Sequence, residues 1–139
     1  MREIWRVATA CLCLLLCAVT VLTGCSDQET IRTNWEINFP AGGSVVYEAS
    51  SGASFHGDGI RYHVFRYGDG EELDTCLTWR EPSAAAAEAA NALLDEIKVP
   101  EEERIDFSAC PLWQGVQEDN SRIYIFLSGQ MIYVVENFL

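Results

Sequence analysis

Hydrophobic and polar positions change period several times along the chain. From Val7 to Leu22 no side chain is charged, and Leu, Val, Ala and Cys dominate. Ser26 to Asn34 is polar with no apolar period, which reads as a tether of at most roughly 30 Å. Trp35-Glu36-Ile37-Asn38-Phe39 then alternates strictly, the pattern of a half-buried strand, closed by Pro40 and Gly42-Gly43. Val45 to Ala49 predicts a second strand. Ile60 to Tyr67 predicts a third, with Ile60, Tyr62 and Val64 on one face and Arg61, His63, Phe65 and Tyr67 on the other. Leu73 to Trp79 alternates again, although a helical turn also fits its start.

Glu81-Pro82-Ser83 changes the regime. Proline suits a first helical turn and an acid there suits the helix dipole. Ala84 to Lys98 is rich in strong helix formers, and Ala86, Ala90, Leu93, Leu94 and Ile97 share one face. Val99-Pro100 ends the helix. Glu101 to Glu103 reads as a solvated loop, Ile105 to Ala109 as a short edge strand, and Pro111 to Trp113 as an irregular link. Arg122 to Leu127 and Met131 to Phe138 are strongly apolar and β-rich. Ser128-Gly129-Gln130 between them predicts a tight hairpin of central strands. The order strands, helix, strands implies an α+β fold: a two-layer sandwich of one mainly antiparallel sheet with a single long helix on one face.

The uncharged run covers roughly 24 Å as a helix, short of the ~30 Å hydrocarbon core of a bilayer. Preceded by Arg2 and Arg6 and ended by Leu22-Thr23-Gly24-Cys25, it has the order of a signal peptide. The four residues resemble the lipobox of bacterial lipoproteins, with Leu three positions before Cys and a small residue directly before it. That resemblance implies a signal peptide over residues 1–24 and a diacylglycerol thioether, with further acylation such as palmitate, on Cys25. It also implies a membrane-anchored protein facing outside the cytoplasm, on the cell membrane or the outer membrane. The expected division is residues 1–24 as signal peptide, 25–34 as lipidated Cys and tether, and 35–139 as a single domain.

The 139-residue chain carries a formal charge of −12. Loss of residues 1–24, with two arginines against one glutamate, leaves about −13, which argues against nucleic acid and anionic lipid headgroups as partners. Cys11, Cys13 and Cys17 would leave with the signal peptide and Cys25 would be lipidated. Cys76 and Cys110 remain, either as a candidate disulfide, worth roughly 3–4 kcal/mol by loop closure, or as two buried free thiols. Neither lies in a zinc-type spacing.

The densest candidate for chemistry is Phe55-His56-Gly57-Asp58-Gly59. The glycines permit positive φ, Asp58 can cap its own turn, and His56 titrates near neutrality. With Tyr133 and Glu136 in a late hairpin, this turn resembles a group of small bacterial proteins that share an "FHGDG" turn and a "YxxE" hairpin. The resemblance implies a common fold unit and carries no activity with it. The bland reading of His56 and Asp58 is a self-bonded turn; the functional one is a polar site of His56, Asp58 and Glu136. A metal reading recruits His63 but leaves the third ligand unnamed. No nucleophile elbow or EF-hand spacing is present. No cofactor and no catalytic residue is assigned.

These features point to a lipid-anchored, non-enzymatic binding or regulatory module, its partner an envelope protein or extracellular ligand. One alternative is a small hydrolase or metal-dependent enzyme using His56 and Asp58. Another is an inhibitor or immunity-type lipoprotein, for which acidity and small size are compatible.

Overall fold

The computed structural model describes residues 26–52 and 57–139. Cys25 and His56 lie outside them. The elements in chain order are helix α1 (Asp27–Trp35), strands β1 (Ser44–Ser50) and β2 (Gly59–Arg66), helix α2 (Ala84–Glu96), and strands β3 (Leu112–Val116), β4 (Arg122–Ser128) and β5 (Met131–Phe138). Short 3-10 turns occupy Leu73–Thr75, Glu101–Glu103 and Phe107–Ala109.

The five strands form one antiparallel sheet in the order β1-β2-β5-β4-β3. Strand β5, buried from Ile132 to Glu136, is the central one, and Gly129-Gln130 links it to β4 with Ser128 paired to Met131. Gly129 has φ 58°, the left-handed conformation that such a turn requires. A bulge at Val46 interrupts the β1–β2 register between Val45 and Tyr47.

Each face of the sheet has its own core. On one side Tyr62, Val64, Tyr124, Phe126, Tyr133 and Val135 pack against Ala86, Ala87, Ala90 and Leu94 of α2, with Phe107 beneath. Ser83 caps α2, its hydroxyl accepting from the Ala86 N–H, and small alanines let the helix lie close to the strands. On the other side Phe65, Ile123, Ile125, Ile132 and Val134 are covered by Ile31 and Trp35 of α1, by Phe39, and by Leu73.

The antiparallel sheet and α+β class thus stand as the pattern implies, with the long helix on one face. The second helix corrects the two-layer expectation, because the sheet is covered on both sides. Residues 27–34, read as tether, are helical: Ser26 accepts from the Glu29 N–H, acids occupy the first turn and Arg32 the last. Trp35 to Phe39, read as a strand, is the end of α1 and an irregular segment. Glu36 at φ 52° turns the chain while Phe39 still reaches the core. Leu73–Trp79 begins as a 3-10 turn, and the edge strand expected at Ile105–Ala109 is a 3-10 turn that buries Phe107. The edge strand is instead β3, which begins in the stretch read as an irregular link and runs on to Val116, and its Leu112 also bridges to Arg80.

Candidate functional site

Of the polar residues singled out in the sequence, His56 lies outside the described residues, and Asp58 and Glu136 have different surroundings. Asp58 is exposed and immediately precedes β2. Glu136 lies on central β5, paired across to Arg61 and to Ile123, and only 2% of it is exposed. Its Oε1 accepts a 2.8 Å hydrogen bond from the Trp35 indole. Burial pushes the Glu136 carboxyl above its usual range; the Trp35 bond and the Arg61 charge pull it back down in part. Glu136 therefore ties α1 to the middle of the sheet.

Cys76 and Cys110 are free thiols. Cys110 belongs to the α2-side core and Cys76 packs against the α1-side core, so the sheet separates them. Of the two readings, the structure takes the free thiols. Burial raises both thiol pKa values, and each sulfur donates to a nearby carbonyl, Cys76 to Leu73 and Cys110 to Asp106.

A different constellation does converge, at the start of α1 over the outer strands. Alternation along β2 puts His63 on the α1 side, two residues from Arg61 and from Phe65, whose ring is nearly parallel to the imidazole at 5.7 Å. The β1–β2 register sets Glu48 directly beside His63. Helix α1 crosses this face with its first residue, Asp27, above the same point. The His63 Nε2 is 3.9 Å from Asp27 Oδ1 and 3.9 Å from Glu48 Oε2. The three side chains can bring one ligand atom each within 4.8 Å of one another.

The environment is graded. The His63 side chain is 13% exposed, whereas those of Asp27 and Glu48 are 46% and 67% exposed. Burial lowers the His63 pKa below its usual value, and Arg61 adds to this, while Asp27 and Glu48 act in the opposite direction. Nδ1 is buried and, among the described residues, has no hydrogen-bond partner. A shallow cavity of about 360 Å³ lies alongside, lined by Glu48, Ala49, Ser50, Arg61 and His63. The site thus presents an imidazole nitrogen and two carboxylates toward solvent, with a guanidinium at its margin.

Of these groups, the sequence pattern singled out His63 alone. Asp27 sat in the supposed tether and Glu48 was one polar position among many. Only the register of β1 and the existence of α1 bring them together. A second concavity, about 230 Å³, lies at the opposite sheet edge, between Arg80, Gln114, Gly115 and Arg122.

No helix among the described residues is long and apolar enough to cross a membrane. Comparison with known proteins finds no matching family, no matching curated protein and no matching solved structure.

Proposed function

We propose that the chain is an extracytoplasmic lipoprotein, anchored through lipid on Cys25, that serves as a non-enzymatic binding module for an envelope protein or extracellular ligand. The observation that carries this reading is the Leu22-Thr23-Gly24-Cys25 motif lying directly before a docked helix. Ser26 already caps α1, and Ile31 and Trp35 of that helix are buried in the core. A lipid on Cys25 would therefore hold the domain against the bilayer with about one residue of slack, at most roughly 4 Å of chain. Two or more acyl chains suffice for durable anchoring.

What such a module would present is the β1 edge. Among the described residues the strand has one neighbour, β2, and its outer backbone groups are unpaired within the sheet. Val45 and Val46 are each 41% exposed, and Glu48 and the polar cavity lie on the same strand. An exposed edge of this kind can accept a partner strand.

Metabolic labelling with an alkyne fatty acid, combined with membrane fractionation, tests the anchor. Wild type should label and sediment with membranes, and Cys25→Ala should do neither. A Cys25→Ala chain that still labels and stays membrane-bound would overturn the anchor. A photocrosslinking residue at Val46 tests the surface, with Glu88 on the exposed face of α2 as control. A discrete adduct from Val46 and none from Glu88 is expected; equal, diffuse adducts from both would refute the edge as the contact.

A further inference from the structure

We propose that Asp27, Glu48 and His63 form a binding site for a divalent transition-metal ion, with Zn²⁺ as the best chemical fit. The first argument is distance. At 3.9 Å the His63 Nε2 is too far from either carboxylate oxygen for a hydrogen bond. Ligands around a tetrahedral zinc, at ~2.0–2.2 Å from the ion, stand about 3.4 Å from each other. Each carboxylate oxygen would close by about 0.5 Å on Nε2, and the two would draw together from a separation of at most 4.8 Å. Both carboxylates are on exposed side chains, which can make these movements.

The second argument is donor type. One imidazole and two carboxylates match a borderline cation such as zinc; a magnesium or calcium site would be built from oxygens alone. Three protein ligands also leave a fourth position facing the cavity, as in zinc sites that hold water or an incoming ligand.

The third argument is the anchoring of the nitrogen. His63 is held by its strand, by its parallel Phe65 neighbour and by burial, so its Nε2 points outward between the acids. Asp27 is set by the capped first turn of α1 and Glu48 by its pairing with His63 across β1–β2. Three separate elements converge on one point. The site also involves neither His56 nor Asp58, and it does not depend on lipidation of Cys25.

The test uses the full chain in detergent micelles, with Co²⁺ as spectroscopic probe and Zn²⁺ as competitor. Wild type should give weak visible cobalt bands without an intense thiolate charge-transfer band, and Zn²⁺ should displace them. His63→Gln should abolish the bands, and Glu48→Gln and Asp27→Asn should each weaken affinity at least tenfold. Bands that persist in His63→Gln, or that arise only with thiolate character, would overturn the site. So would displacement of Co²⁺ by an equal concentration of Mg²⁺. Circular dichroism checks folding; if His63→Gln does not fold, Glu48→Gln on the exposed edge decides, and unchanged affinity there refutes the proposal.

Discussion

The bond between Trp35 and Glu136 joins the first helix to the last strand, and it makes a prediction in which the size of the effect depends on pH. Trp35→Phe keeps an aromatic ring against Phe138, 5.6 Å away between centroids, and removes the indole N–H. When Glu136 is ionised, the lost interaction is a buried hydrogen bond to a charged acceptor, worth about 1.5–3 kcal/mol. When Glu136 is protonated, it is an ordinary hydrogen bond, worth about 0.5–1.5 kcal/mol. The folded carboxyl has a pKa above its unfolded value. Between those two values the folded state binds more protons than the unfolded one, so this group's contribution to stability falls as pH rises. Removing the Trp35 bond, which holds the folded pKa down, widens that window. Trp35→Phe should therefore cost about 1 kcal/mol more near pH 8 than near pH 4. Glu136→Gln retains an acceptor for the indole without a charge, and should make the Trp35→Phe penalty independent of pH. The assay is urea denaturation followed by circular dichroism at both pH values, for wild type, both single variants and the double variant. A Trp35→Phe penalty equal at the two pH values, or no coupling in the double-mutant cycle, would refute the reasoning.

Three further expectations follow from packing. A Cβ at Gly43 would sit 2.6 Å from the Tyr67 ring, whose hydroxyl donates to Pro40, so Gly43→Ala should destabilise by about 1–3 kcal/mol in the same denaturation assay; a change under about 0.5 kcal/mol would contradict the close approach. Ser83→Ala removes the α2 cap and should cost about 1 kcal/mol, read as a drop of roughly 4 °C in Tm, whereas an unchanged Tm would mean that the cap contributes nothing. Cys76 and Cys110 should both alkylate in denaturant without prior reduction, and Cys110 should react slowly in the native state; resistance of both thiols until reductant is added would show a bridge.

Strand β2 was legible because it alternates, and β4 and β5 because continuous apolar, β-rich runs agree with burial on both faces of a sheet. Helix α2 was legible because its cap, its alanines and its stop all point one way. Helix α1 was hidden for a physical reason. It offers only two apolar residues, Ile31 and Trp35, to a core that strands supply from elsewhere. Its third buried residue, Gln28, is polar and satisfies itself by donating to the Gly43 carbonyl. No local period reports such a helix, since its stability comes from distant partners. The apparent strand at Trp35 to Phe39 has the same origin: the end of a helix and a reversed turn send Trp35 and Phe39 to one core by an irregular path. Likewise His63 was visible as a histidine, while its companions were fixed by cross-strand register and helix docking.

The position of β5 also bears on how the domain is made. The strand at the middle of the sheet comes after the other four in the chain, and it pairs on one side with β2, so that Arg66 meets Met131 and Gly59 meets Phe138. Until residues 131–138 are available, β1 and β2 form a hairpin with no centre to join, and α1 has neither Val134 nor Glu136 to settle on. Such late, long-range closure slows folding and leaves the growing chain open. This topology therefore postpones closure of the sheet until residues 131–138 have been made.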